Sequence, residues 1–407
     1  MRSTIRVILM VIMAAAAIIY AVSILGGALA GVLQKSPTPG ATLTPGPTRP
    51  PQLRADLPTL ARPTIPLATG QLSSPVRAIR LDYSDMAASR SEVSALEQAI
   101  KSSGFNLVSL GAGRAEWTYF KWADHDQDWS DDVRQSGIDY LEEDAIRFSR
   151  WAYVDASVDV LSPLYIQKNP QAAAISYDGK PSTNLVSTMQ LVDGPYGKLI
   201  LDMIRAVASS YPVDSISINE MYYQRDGYGP DDKAAYLAYT GRSDWPRTPT
   251  GQIDINDQSI GDWRSYELAK WIDQAQSIAH QYGKKFFVNI ALNLNNSQAP
   301  LLDYGQPLDQ IQAKMDKILL WGFFDPETAN PADLTTAVQI LNENDSQDKF
   351  IFVIGLWNAQ DQAISAPKLS QAISAVQKGG IKDIWITPAS LMSASHWNAL
   401  ASLWPGK

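Results

Sequence analysis

The chain has 407 residues, enough for one large domain or two ordinary ones, and 45% of them are apolar, so a substantial core can form. Its net charge of −8 and pI near 5.0 argue against a nucleic-acid partner, which needs a basic face. It contains no cysteine, which excludes disulfides and cysteine-ligated zinc or iron–sulfur centres.

Arg2 and Arg6 precede an uncharged apolar run from Val7 to Leu33. That run exceeds the roughly 20 residues a membrane-spanning helix needs. The basic residues before it predict a cytoplasmic N-terminus and an extracytoplasmic remainder, hence a single-pass cell-membrane protein. The rival is a secretory signal cleaved near Ala28-Leu29-Ala30, although the run is long for a signal. Residues 36–70 are rich in Pro, Thr and Gly without periodicity, so they bury too little surface to offset ordering entropy. They read as a disordered, semi-rigid stalk. The expected organisation is an anchor or signal over 1–33, a linker over 34–75, and one domain over 76–407.

From residue 76 short apolar runs alternate with helical patterns. VRAIRLDYSD (76–85) predicts a strand. SRSEVSALEQAIKSSGF (89–105) predicts a helix with Val93, Leu96 and Ile100 on one face and Gly104 ending it. NLVSLGAG (106–113) is a strand, 141–151 a helix, and 152–160 a strand. Helix 196–212 leads into VDSISINEMYY (213–223), a strand that ends in an amide, a carboxylate and two tyrosines. Helix 264–284 leads to strand 284–293, and 308–325 reads as a helix running into a strand. Helix 331–344 precedes strand 349–358, helix 368–380 precedes strand 381–390, and HWNALASLW closes the pattern. About eight strand–helix units imply a closed (β/α)8 barrel or a doubly wound sheet. No strand is followed by GxGxxG or GxxxxGK[ST], so a nucleotide-binding sheet loses its support and the barrel is expected.

Active sites of such barrels lie at the C-terminal ends of the strands, so the strand ends are the residues to inspect. They carry Asp82, Tyr83 and Asp85; Arg114, Glu116, Trp117 and Tyr119; Asp155 and Asp159; Asn219, Glu220, Tyr222 and Tyr223; Asn289 and Asn293; Trp321 and Asp325; Trp357 and Asn358; and Trp385 before Thr387. Carboxylates and amides bind sugar hydroxyls, and the flat, amphipathic rings of Trp and Tyr suit sugar faces. Glu220 is the leading proton-transfer candidate, with Asp82 or Asp325 as the second carboxylate. Asn219, Tyr83, Trp117, Tyr222, Tyr223, Asn293, Trp357 and Trp385 are expected to bind substrate. The bland readings are a loop carboxylate for Glu220 and core packing for each aromatic residue. The three histidines, His125, His280 and His396, show no metal-ligand spacing; no metal or cofactor is expected.

Glycoside hydrolysis pairs an acid beside the leaving oxygen with a second group that attacks or stabilises the anomeric carbon. Asn-Glu closing the fourth strand is also the acid/base pattern of many retaining barrel glycosidases, which carry a nucleophilic Glu on the seventh. Here the seventh ends in Leu356-Trp357-Asn358, with no carboxylate, so that mechanism does not transfer directly.

Over residues 76–390 the sequence resembles the glycosyl-hydrolase-like barrels related to the family 10-like glycosidases and to the hydrolase domain of poly-N-acetylglucosamine-processing proteins. Three stretches carry the resemblance: LSPLYIQKNPQAAAISYDGK (161–180), YPVDSISINEMYY (211–223) and SDWPRTPTGQIDINDQSIGDWRSYELAKWI (243–272). That family closes its fourth strand with an acidic pair, whereas this chain has Asn219-Glu220, so only Glu220 carries over. Trp263 and Arg264 match its Trp-Arg at the head of the following helix. The expected function is a membrane-tethered, extracytoplasmic, monomeric glycoside hydrolase acting on a polysaccharide, with a second carboxylate or the substrate's own 2-acetamido group completing the mechanism. The alternative is a carbohydrate-binding pseudoenzyme that keeps the cleft without a nucleophile.

Overall fold

A computed structural model describes residues 70–223, 225–292, 305–322, 331–342, 348–357 and 362–404. Eight parallel strands run in chain order: β1 (Arg77–Leu81), β2 (Leu107–Arg114), β3 (Tyr153–Asp159), β4 (Ser215–Asn219), β5 (Lys285–Leu292), β6 (Lys317–Gly322), β7 (Phe350–Gly355) and β8 (Ile384–Thr387). Each pairs with the next, and β1 pairs with both neighbours, Ala78 lying opposite Leu107 on β2 and Trp385 on β8. The sheet is therefore closed, and the expected (β/α)8 barrel is the observed fold.

The principal helices after the strands are α1 (Arg90–Ser102), α2 (Tyr140–Phe148), α3 (Pro195–Ser210), α4 (Gln258–Gln281), α5 (Leu308–Ile311), α6 (Pro331–Asn342), α7 (Ala366–Lys378) and α8 (Ala394–Leu403). Their starts follow local chemistry. Ser89 and Glu92 form a capping box at α1, with the Ser89 amide donating to Glu92 at 2.9 Å. Asp257 accepts from the Ser259 amide at 3.0 Å, which starts α4 six residues before the expected position 264. The expected helix from 308 shrinks to one turn because the chain enters β6 at Lys317. A hairpin pairing Ala173–Ile175 with Pro181–Val186 was not expected; Gly179 turns it at φ 86°, a conformation that glycine adopts without steric cost.

Both faces of a parallel barrel sheet are covered, so the alternation of each strand sorts residues between two cores. Ile79, Leu81, Val108, Leu110, Ile216 and Ile218 face the helices in the larger core. Val76, Ala78, Leu107, Tyr153, Phe287, Leu319, Ile351, Val353 and Trp385 fill the lower barrel interior. Above this apolar layer the inward positions turn polar. Asp155, fully buried on β3, accepts hydrogen bonds from the hydroxyls of Ser109 (2.8 Å), Ser215 (2.8 Å) and Ser217 (2.7 Å).

The described chain begins at the barrel floor. The Gly70 amide donates to Asp214 at 2.6 Å, Leu72 packs against the inner core, and Asn106 donates to the carbonyls of Ser73 (3.3 Å) and Pro75 (2.9 Å). The last residues of the expected linker, 70–75, thus lie against the domain. The expected anchor over 1–33 and the stalk as far as residue 69 lie outside the described residues; among the described residues no helix is long and apolar enough to cross a membrane.

Candidate active site

The C-terminal ends of β1 to β4 bring a charged cluster to one side of the rim. On β4, Ser215, Ser217 and Asn219 point inward by alternation, and the Asn219 amide donates to the Ser157 hydroxyl of β3. Strict alternation would turn the next side chain outward. Glu220 instead adopts a left-handed backbone, φ 68°, which costs a residue with a Cβ roughly 1–2 kcal/mol and is typical of functional positions. The departure leaves the half-buried Glu220 carboxyl in the field of Asp159, Arg80 and Arg114.

Asp159, the last residue of β3, is buried and ion-paired. One of its oxygens accepts from Arg114 Nε at 2.9 Å and the other from the Leu161 amide at 2.9 Å. Arg114 ends β2. Arg80 comes from the inward face of β1, above Ala78, and its Nε lies 3.9 Å from an Asp82 oxygen. Burial pushes the Glu220 carboxyl up to about 7; the negative charge of Asp159 adds to the rise, and Arg80 and Arg114 oppose it. Burial also pushes Asp155, beneath the cluster, up to about 6, against its serine donors and Arg80. Glu220 and Asp159 are thus two carboxyls in unlike settings, one raised by burial and one ion-paired to Arg114.

Several polar atoms here are buried without a hydrogen-bond partner: the Tyr83 hydroxyl, Arg80 Nε and Glu116 Oε1. Buried polar groups are normally satisfied, so three orphans beside one charged cluster mark a place where a ligand's polar atoms can bind. Tyr83 reaches this position because residue 111 is glycine; a Cβ there would stand 2.7 Å from the tyrosine ring. Burial, with Asp159 next, pushes the Tyr83 phenol up to about 12. Glu116, on the turn after β2, is likewise pushed up to about 7 by burial.

The expected site residues divide. Glu220, Asn219 and Tyr83 join the cluster. Asp82 lies half-buried at its edge, 3.5 Å from the Ser390 hydroxyl; burial raises its pKa while Arg80 lowers it. Asp159, on the neighbouring strand end, is the carboxylate whose charge raises Glu220. Asp325 and Asn293 lie outside the described residues. Trp117 is half-buried and meets Tyr83 edge-on, with centroids 4.7 Å apart. Trp357 is half-buried against Trp321, 5.4 Å away. Three of the expected aromatic residues are buried. Tyr222 is buried and donates to Asn289 Oδ1 at 2.8 Å, Tyr223 belongs to the outer core, and Trp385 belongs to the inner core at the level of Ala78, below the rim.

Asp159 and Arg114 stood among the strand-end residues, but their pairing across β2 and β3 is a tertiary fact. Arg80 was missed. Its signal was an arginine at an inward position of a buried strand, where an unpaired charge is costly. Among the described residues no group of three acidic or histidine side chains is placed to hold a metal ion. A groove of about 1070 Å³ on the barrel flank, lined by Trp122, Tyr211 and Tyr282, shares no residue with this cluster.

The raised pKa of Glu220 has a consequence for stability. Between about 4.5 and 7 the folded chain holds a proton that the unfolded chain has lost, so stability falls as pH rises through that window. Glu220→Gln, neutral at every pH, is expected to be more stable than wild type above pH 7 by about 2–3 kcal/mol, with the gap closing below about pH 4.5. Thermal unfolding of both proteins at pH 4 and pH 8 checks this; an equal gap at the two pH values contradicts it.

Fold and rim together define a (β/α)8 barrel with a carboxylate–guanidinium cluster at the carboxyl ends of β1 to β4. This chain is similar in fold to the glycoside hydrolase domain of PgaB (BpsB) from Bordetella bronchiseptica, with TM-score 0.57 and 16% identity over 80% of this chain and 98% of that one. It is similar to the catalytic domain of β-amylase from Paenibacillus polymyxa, with TM-score 0.57 and 10% identity over 80% and 96% of the two chains. It also resembles α-L-fucosidase isoenzyme 2 from Paenibacillus thiaminolyticus, with TM-score 0.53 and 12% identity over 81% of this chain and 48% of that one. At these identities the likeness is one of fold. No protein-family model and no curated protein matches the chain.

Proposed function

We propose that this chain is a glycoside hydrolase acting on a polysaccharide, with Glu220 as general acid and Asp159 as the second carboxylate. The observation that carries the reading is Glu220 itself: a half-buried carboxyl of raised pKa on a strained backbone at the end of β4, in the field of an ion-paired aspartate at the end of β3. Glu220 gives its proton to the glycosidic oxygen as the C–O bond to the anomeric carbon breaks. Asp159 then either attacks the anomeric carbon, forming an ester that a water deprotonated by Glu220 hydrolyses, or takes the proton of the water that attacks that carbon; the anomeric configuration of the product tells which. Arg114 orients Asp159 through its 2.9 Å hydrogen bond. The Tyr83 hydroxyl and Arg80 Nε, which make no hydrogen bond within the protein, are the donors assigned to substrate oxygens. The glycoside-active proteins among the fold neighbours support the reaction class.

The location belongs to the same proposal: an N-terminal membrane anchor with the barrel outside the cytoplasm, as the basic-then-apolar start implies.

The test is a panel of polysaccharides, with and without N-acetyl groups, assayed for new reducing ends. Turnover of at least one is expected. A wild-type protein that binds a glycan in affinity electrophoresis but cleaves none moves the assignment to a binding-only barrel.

A further inference from the structure

Glu220 needs something to hold it in its left-handed conformation. The chain that follows runs through Tyr222, Tyr223, Asp226 and Gly227 before turning into the helix Pro230–Thr240. Its carbonyls converge on one side chain from α4. Arg264 is fully buried and donates from Nη1 to the carbonyl of Tyr223 at 2.7 Å, and from Nη2 to those of Asp226 at 2.5 Å and Gly227 at 3.2 Å. Its guanidinium carbon lies 4.6 Å from the centroid of the Tyr228 ring. A buried charge is costly to place; here three main-chain carbonyls and the nearby carboxylates of Asp226 and Asp232 meet it, and a planar fork is the geometry that can serve several acceptors at once.

Arg264 is itself clamped. Gly305 passes so close that a Cβ would stand 2.5 Å from the Cβ of Arg264, and the neighbouring Ser265 hydroxyl donates to the Gly305 carbonyl at 3.3 Å. The next residue, Gln306, accepts from the Ala291 amide at 2.7 Å and donates to the Asn289 carbonyl at 3.1 Å. Asn289 receives the Tyr222 hydroxyl at 2.8 Å. The segment after Glu220 is thus tied at Tyr222 to β5 and, from Tyr223 onward, to α4.

We propose that Arg264 is the positioning residue for Glu220: by fixing the carbonyls of residues 223, 226 and 227 it holds the turn that keeps the Glu220 carboxyl in the cluster beside Asp159. This rests on the reading of Glu220 as the acid. Arg264 touches no reacting atom in this assignment. It acts through the loop backbone, and it explains why a buried arginine sits in the second turn of α4 where an apolar residue would pack at lower cost.

The test reads Glu220 without substrate. The gap in stability between Glu and Gln at position 220 is measured against pH in the full chain, first in the wild-type background and then with Arg264→Lys, which cannot serve three carbonyls with one ammonium. Loosening the loop admits water to Glu220 and lets its titration fall from about 7 toward 4.5, so the pH-dependent gap is expected to shrink to less than half. Glycan turnover at pH 6 is expected to fall about 10- to 100-fold, with KM little changed, as misplacement of a catalytic group does. A folded Arg264→Lys protein with an unchanged gap overturns the proposal. If Arg264→Lys does not fold, Tyr228→Leu, which removes only the ring beneath the guanidinium, decides: a shrunken gap supports the assignment and an unchanged gap overturns it. Absence of turnover in wild type defeats the acid reading but leaves the gap measurement standing, so the two failures are distinguishable.

Discussion

Glu220→Gln is expected to lower hydrolysis of a natural glycan by about 10²–10⁴-fold, the usual cost of removing a general acid. Glutamine keeps the shape and hydrogen-bonding reach of the side chain but has no proton to give, so glycan binding should persist. An activated aryl glycoside, whose leaving group needs little protonation, should lose much less. Because the acid must be protonated to act, wild-type activity on natural glycan should decline as pH rises through about 7, the value to which burial and Asp159 push Glu220. That alkaline limb should be absent for the variant on the activated substrate. Steady-state rates for both proteins on both substrates across pH 5 to 9 provide the check. Equal rates for the two proteins would remove Glu220 from the mechanism.

Asp159→Asn is expected to be as damaging on natural glycan, about 10²–10⁴-fold, because the anomeric carbon loses its carboxylate and Arg114 loses its 2.9 Å partner. A second effect separates this site from a merely structural ion pair. The negative charge of Asp159 raises Glu220, while Arg80 and Arg114 lower it. Removing Asp159 leaves only the lowering charges against burial, so the residual activity should lose its alkaline limb toward lower pH. Activated substrates should not rescue this variant as they rescue Glu220→Gln, since leaving-group protonation is not the missing step. A folded Asp159→Asn protein whose residual activity keeps the wild-type alkaline limb would show that the two carboxyls do not interact.

Much of the barrel is legible in the sequence. Apolar runs near 76–81, 107–112, 153–160, 285–292 and 350–355 alternate with helical patterns, because strands covered on both faces need continuous apolar stretches and their outer helices need one apolar stripe. The fourth strand's ending in Asn219-Glu220 is legible for the same reason: in a parallel barrel the site residues follow the strands. The sequence alone does not decide which residues share the cluster. Asp82 and Asp159 both stand at strand ends, yet Asp159 meets Arg114 because β2 and β3 are neighbours in parallel register, with Gly113 opposite Val158. Arg80 looks misplaced within a buried strand until the folded barrel adds Asp155 and Asp159 of β3 to its local neighbour Asp82. Trp385, two residues from a strand end, reads as a rim residue, but the eighth strand is short and its register against Ala78 sinks the indole into the floor. Local patterning determines element type because it depends on the few residues around each position; pairing, register and the sign of φ at Glu220 depend on contacts between segments far apart in the chain, and only the closed barrel supplies them.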